Sequence, residues 1–386
     1  MDSVIRQQAE RCLTCARPSC KSACPLGNDG SQIIGLVKRD EYARAVAAIG
    51  HPFGEICGYV CPHEQTCQGG CVLNKRKQPV LVGTIERELF AEYPYVIERK
   101  GSALKGQRYA IVGGGISGLT FATKVYEQGA DVTVYERDEL LSTVKLIPNF
   151  RLPVTAVLRA EQCFTDKFEV VREQIDGPRL KLLQDRYNGV YVATGLATDY
   201  GLGVEEQALA TNYRDCLKGD YASGRVVIVG GGNSAMDCAR LVNKQGSKAI
   251  VSYRRTEADM PAFAREIAEA VDEGVEFVFN AAPVLLTKTG DGLRLTLAKT
   301  VSEGRGKLTV TKDTFDVDCD SVIAAVGSKF DGSLLSDDAN YERYLQYGNV
   351  YLGGDAKGGK LVVDAVRDGL CAAKQIMENR GKDVYR

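Results

Sequence analysis

With 386 residues, 44% of them apolar, the chain is long enough for two or three domains and a sizeable core. Its 49 basic and 50 acidic residues leave a net charge of −1, so no overall field attracts nucleic acid or an acidic membrane. No apolar run is long enough to cross a bilayer, and the start, Met1-Asp2-Ser3-Val4, has no signal-peptide character, so a reducing cytoplasmic location is expected.

The first hundred residues read as short helical stretches without strand pairs. Gln32 to Ile49 has helical spacing of Ile33, Ile34, Val37, Tyr42, Val46 and Ile49. Eight of the thirteen cysteines fall between Cys12 and Cys71. In a reducing compartment they point to metal or redox chemistry rather than disulfides. The other five, Cys163, Cys216, Cys238, Cys319 and Cys371, are isolated and read as small apolar residues. With only two histidines, His51 and His63, histidine-rich metal sites and Ser-His-Asp hydrolysis are disfavoured.

The clustered cysteines form two groups, Cys12-x2-Cys15-x4-Cys20-x3-Cys24-Pro25 and Cys57-x3-Cys61-Pro62-x4-Cys67-x3-Cys71. Thiolates are soft ligands that suit zinc or iron–sulfur clusters. Four cysteines closing on Cys-Pro resemble a ferredoxin run, in which the last cysteine commonly ligates the other cluster. Three thiolates of a tight loop can wrap three irons of a cube, and the fourth iron needs a remote ligand. The groups are therefore expected to exchange ligands. One cluster takes Cys12, Cys15, Cys20 and Cys71; the other takes Cys24, Cys61 and Cys67, with Cys57 a candidate fourth donor by ligand type.

Tyr95 to Gln107 reads as a linker, after which strand and helix patterns alternate. Tyr109-Ala-Ile-Val-Gly-Gly-Gly-Ile-Ser-Gly118 is an apolar strand running through a glycine turn into a helix, and Val226-Val-Ile-Val-Gly-Gly-Gly-Asn-Ser-Ala235 repeats it 117 residues later. Each is followed by a second strand, Asp131–Tyr135 and Lys248–Tyr253. Two βαβ starts predict two doubly wound dinucleotide domains. In the first, Gly113, Gly115 and Gly118 serve the tight turn, pyrophosphate approach and helix packing, and Glu136 is placed to bind a ribose hydroxyl. In the second, Gly230 and Gly232 lead into Asn233, Ser234 and Ala235. Its second strand ends in Arg254 and Arg255, which suit the 2′-phosphate of NADP(H), whereas solvated arginines would leave NAD(H) open. Two further strands end at Gly195 and Gly327, and a third closes on Gly353-Gly354-Asp355, where the aspartate can accept a hydrogen bond from a ribityl hydroxyl. The expected class is α/β, with the second nucleotide domain inserted in the first. The expected segments are a helical iron–sulfur domain over 1–100, a first nucleotide domain over 105–215 and 319–386, and the second over 216–318.

Together these motifs resemble the small subunit of NADPH-dependent glutamate synthase and its relatives, including the N-terminal half of dihydropyrimidine dehydrogenase. The resemblance covers nearly the whole chain and is most specific at Cys12–Cys24, Ile56–Leu73, Ile147-Pro-Asn-Phe-Arg-Leu-Pro153, Gly230–Asp237, Tyr253–Ala262 and Gly353–Asp355. It implies two [4Fe–4S] clusters, FAD on the first nucleotide fold (with Gly195, Gly354 and Asp355 at its site) and NAD(P)H on the second. It also implies Glu86 as the fourth ligand of the second cluster in preference to Cys57, and a nicotinamide-side role for Glu266. The expected activity is electron transfer between NAD(P)H and a larger catalytic oxidoreductase subunit or a ferredoxin-like carrier. The rival reading is a scaffold subunit without turnover of its own. The chain departs from the family at Asp138–Lys145, which lacks the usual Gly-Gly pair, and it is compressed between Val154 and Asn188.

Overall fold

The computed structural model describes residues 3–302, 306–335 and 349–378. The chain forms two compact units. One comprises the chain up to Lys145, Asn149–Leu196 and the chain from Phe330 onward; the other comprises Leu146–Pro148 and Ala197–Lys329.

The first unit begins with helices Ser3–Arg11, Ser19–Ala23, Gly30–Lys38, Tyr42–Ile49, Gly54–Val60 and Val82–Glu92. Among the described residues no strand precedes Arg108. Asp29 caps the third helix, its carboxylate accepting the Gln32 N–H at 3.0 Å. The periodic stretch Gln32–Ile49 is two helices rather than one. The Arg39 and Asp40 N–H groups fold back on the Leu36 and Val37 carbonyls, and Asp40 turns left-handed at φ 59°. The apolar period survives because both helices face the same core.

Tyr95–Gln107 has no regular structure, yet it is no loose linker. Ile97 and Leu104 are buried. The Lys100 and Gly101 N–H groups donate to the Glu127 carbonyl, and the Leu104 N–H to that of Gln128. The segment thus satisfies carbonyls left open at the end of helix Ile116–Glu127.

Two parallel five-stranded sheets follow, alike in four positions and different in one edge strand, which comes last in the chain in the first sheet and first in the second. In the first unit the order runs Val350–Leu352, Gly189–Val192, Arg108–Val112, Asp131–Glu136, Glu169–Arg172. In the second it runs Thr211–Asn212, Ser321–Ala324, Arg225–Val229, Lys248–Tyr253, Glu276–Phe279. A three-stranded antiparallel sheet of Ala281–Thr289, Gly292–Ser302 and Leu308–Cys319 lies between the last two strands of the second fold in chain order.

This topology moves the expected segment limits. Ser321–Ala324 does not return to the first fold, because it pairs with Val226–Val229, as Gly189–Val192 pairs with Tyr109–Val112. Both strands are wholly buried, as central parallel strands with two covered faces must be. The first fold resumes at Phe330 rather than 319, and the second begins at Ala197 rather than 216, since Thr211–Asn212 is its edge strand.

Candidate functional site

The first cysteine loop and Cys71 meet around one pocket. Gly70 makes this possible: a side chain there would strike the Ala23 methyl at 2.6 Å and the Ser19 carbonyl at 2.9 Å. The pocket is lined by Cys12, Cys15, Cys20 and Cys71, with Ile34, Val80 and Val82 behind them. Burial raises the Cys12 and Cys20 thiols above the ordinary thiol value. The mouth is open, with Leu13 61% and Val72 41% exposed.

A second pocket lies deeper. It is lined by Cys24, Cys57, Cys61, Cys67 and Glu86, and by His51, His63 and Val363. Helices Gly54–Val60 and Val82–Glu92 cross closely because Gly58 and Gly83 have no side chains. A Cβ on Gly58 would meet the Gly83 carbonyl at 2.6 Å, and one on Gly83 would meet the His63 ring at 2.3 Å. Glu86, one turn beyond Gly83, faces the same way. It has no hydrogen-bond or ion-pair partner among the described residues, and burial pushes its carboxyl up to about 8. Burial also pushes Cys61 up to about 12, Cys57 well up, and Cys24 and Cys67 up, and the nearby Glu86 charge adds to each. His63 approaches Cys67 Sγ with Nδ1 at 3.4 Å and the Gly58 carbonyl with Nε2 at 3.3 Å.

These donor sets suit a cluster better than a single ion. Among the described residues no three His, Cys, Asp or Glu side chains converge on one ion site, and the thiols instead ring a space. Four anions packed in a buried pocket repel one another, which a polycationic core relieves. Cys20 and Val82 line both pockets, so the two spaces are neighbours. Val363 lies in the first turn of the helix Val362–Glu378, which follows Gly354 and Asp355, so the deep pocket touches the first nucleotide fold.

At the first glycine turn, Gly113 has φ 110°, and a Cβ would lie 2.4 Å from the Ala193 carbonyl; one on Gly118 would lie 2.0 Å from the Gly113 carbonyl. Gly115 is different. A Cβ there meets nothing, so the protein itself does not require glycine, whereas an approaching pyrophosphate does. The Glu136 carboxylate accepts the Gly114 N–H at 2.6 Å and the Asp138 N–H at 2.9 Å. In place of a Gly-Gly pair, Leu141 turns left-handed at φ 57° and donates its N–H to the Gly114 carbonyl. At the far strand ends, Gly195 and Gly354 both have positive φ, and Gly353 leaves room for the Tyr191 hydroxyl, which bonds Ser117 at 2.8 Å. The Gly354 N–H donates to Asp368, and Asp355 sits in the short turn Gly354–Lys357.

The second turn repeats the device. Gly230 has φ 148° and abuts the Ala325 carbonyl, while Gly232 again faces open space. The Asn233 side chain accepts the Phe263 N–H at 2.9 Å, tying the helix start, with Ser234, to the loop after Arg255. The Arg254 and Arg255 carbonyls accept bonds from Thr300 and Asn280, which fixes their backbone, and the Arg254 side chain is exposed. Glu266 is buried and bonded to Arg240 at 2.7 Å, within a cluster that includes Glu269 and Glu273. Sequence reasoning did not single out His51, His63, Ser117, Tyr191, Asp368 or Arg240. His63 alone had a local signal, standing between two cysteines of one group.

Residues 2–94 match the family model described as dihydropyrimidine dehydrogenase domain II, 4Fe-4S cluster. Residues 149–369 match pyridine nucleotide-disulphide oxidoreductase, and residues 111–153 an NAD(P)-binding Rossmann-like domain. The chain is 31% identical to the glutamate synthase [NADPH] small chain of Azospirillum brasilense, over 97% of this chain and 89% of the relative. It is 29% identical to the NAD-dependent dihydropyrimidine dehydrogenase subunit PreT of Escherichia coli K12, over 96% and 93% respectively. Among solved structures, FprA of Mycobacterium tuberculosis in complex with NADPH superposes with a TM-score of 0.58 at 16% identity, over 72% of this chain and 86% of that one, a likeness of fold.

Proposed function

This chain belongs to the NADPH-dependent glutamate synthase small-chain family of iron–sulfur flavoprotein oxidoreductases, and from that premise we propose that it is the electron-transfer subunit of a larger oxidoreductase. When bound, FAD exchanges a hydride with the nicotinamide, and [4Fe–4S] clusters carry electrons singly. Cys12, Cys15, Cys20 and Cys71 hold the cluster near the surface. Cys24, Cys61, Cys67 and Glu86 hold the deep one, Glu86 being favoured over Cys57 because a buried carboxylate without a partner among the described residues needs one, whereas a buried thiol does not. Gly113, Gly115 and Gly118 receive the FAD pyrophosphate, Glu136 its ribose, and Gly195, Gly354 and Asp355 its flavin side. Gly230, Gly232, Asn233 and Ser234 receive the nicotinamide dinucleotide, with Arg254 and Arg255 on a 2′-phosphate. Glu266, held by Arg240, acts by positioning the helix that carries it.

The observation that carries this reading is continuity. The deep pocket touches the flavin fold at Val363 and shares Cys20 and Val82 with the surface pocket. The partner at the far end is a larger catalytic subunit or a ferredoxin-like carrier. The relatives named as a small chain and as a subunit support this. A cytoplasmic setting suits the thirteen free thiols. Purified protein should be yellow-brown, contain iron, sulfide and FAD, and bleach with NADPH. Intact clusters and flavin without nicotinamide-dependent turnover of a neutral quinone would instead identify a scaffold. Neutralising Arg254 and Arg255 should raise the KM for NADPH at least tenfold and leave NADH nearly unchanged; equal loss of both contradicts the 2′-phosphate assignment.

A further inference from the structure

The surface cysteine pocket has a rim that the relay does not require. The segments lining it, residues 12–20, 31–34 and 71–82, carry Arg17, Lys75, Arg76 and Lys77 and not one acidic residue, and Arg11, Lys21 and Lys38 stand just beyond them. In a chain of net charge −1 this is a local excess of four positive charges. The three flanking residues already serve the protein: Lys38 donates to the Cys12 carbonyl at 2.7 Å, Arg11 bonds Gln78, and Lys21 pairs with Asp29. The other four, Arg17, Lys75, Arg76 and Lys77, are exposed and have no ion-pair partner among the described residues. Lys75, Arg76 and Lys77 follow directly on Cys71, in and just after the short turn Val72–Arg76. Within this ring stand two apolar side chains with no internal role, Leu13 and Val72, 61% and 41% exposed.

An apolar centre over a redox pocket, ringed by one sign of charge, has the anatomy of a small transient interface. The apolar contact excludes water between the centres, while the charges steer encounter and choose the partner. The deep pocket has no such face, being walled by buried His51, His63, Cys57 and Glu86.

We propose that Leu13, Val72 and the basic residues Arg17, Lys75, Arg76 and Lys77 form the docking face for an acidic iron–sulfur protein whose carboxylates surround its own redox centre. The inference rests on the electron-transfer reading above and names the partner's chemistry. In the reaction, two one-electron oxidations of the carrier, with NADP+ and one proton, give one NADPH; the reverse uses the same face.

The test uses the full-length holoprotein and an acidic ferredoxin as probe. Three measurements are made against ionic strength: the Kd for ferredoxin, NADP+ reduction by photoreduced ferredoxin, and NADPH oxidation by a neutral quinone. The variants are Lys75→Glu/Arg76→Glu/Lys77→Glu, and as control Lys288→Glu/Lys299→Glu/Lys312→Glu on the antiparallel sheet. The first variant should weaken ferredoxin binding and kcat/KM by about tenfold or more at low salt and flatten their salt dependence. Its iron content and quinone turnover should match wild type, and the control should bind normally. Unchanged ferredoxin affinity in the first variant, with quinone turnover intact, overturns the docking face and leaves the relay standing. Equal weakening by the control set also overturns it, because net charge alone then governs binding. A wild-type protein with intact clusters that turns over neither acceptor overturns the relay and this inference with it.

Discussion

The two cysteine pockets share a wall and differ in almost everything else. The surface pocket offers thiols only, lies under exposed Leu13 and Val72, and is hemmed by positive charge. The deep pocket adds the carboxylate of Glu86 to its thiols, is enclosed by two crossing helices, and touches the nucleotide fold. The difference teaches that position, more than cysteine spacing, divides the labour. In the proposed relay the enclosed site serves exchange inside the protein, and the open one exchange across its surface. With the proposed ligation, a hard carboxylate among soft thiolates, with His63 beside Cys67, would give a deep cluster its own potential.

The largest effect that would break this comparison comes from Glu86. Glu86→Ala should lose the deep cluster, halving iron and sulfide per chain, while Glu86→Cys should retain it with a shifted potential. Full iron content in the alanine variant would pass the ligand role to Cys57. A smaller effect belongs to the frame around the pocket. Glu55, buried two residues before Cys57, is clamped by Arg159, whose Nε lies 2.9 Å from the carboxylate. Arg159→Leu leaves that charge unpaired and should cost about 3 kcal/mol, read as a lower denaturation midpoint. An unchanged midpoint would mean that water replaces the guanidinium.

The smallest effect is a matter of pH. Burial holds His51 neutral, with its pKa lowered to about 3 from an ordinary 6.5. Its Nδ1 accepts the Phe53 N–H. Below pH 6.5 the unfolded chain takes up a proton that the folded chain refuses, so stability is lost as pH falls from 6.5 toward 3. His51→Gln should therefore flatten the acid limb of the stability profile. An acid limb as steep as in wild type would place the responsible group elsewhere.

Much of the fold was legible because glycine turns and apolar strands carry local physics. Gly113 and Gly230 need positive φ, and that need is written in the sequence whatever surrounds them. Which sheet receives Ser321–Ala324 was not legible, since an apolar strand ending in glycine fits either fold until its neighbours are known. Nor was the packing of Tyr95–Gln107, whose Lys and Gly content reads as a linker while its backbone serves a distant helix end. Within the site, Glu86 entered through the family resemblance, because nothing around a glutamate announces that it is buried. Tyr191, Asp368 and His51 needed the fold itself to bring them to their places.

In the proposed relay the deep pocket stands between the flavin fold and the surface pocket. Rapid mixing with NADPH, followed by freeze-quench EPR, tests that order most directly when wild type is compared with Cys24→Ala. In wild type the flavin should bleach and the signal of the reduced surface cluster should appear. In the variant, shown by iron analysis to keep only the surface cluster, the flavin should still bleach while that signal is delayed by orders of magnitude. A surface-cluster signal rising at the wild-type rate without the deep cluster would contradict the account.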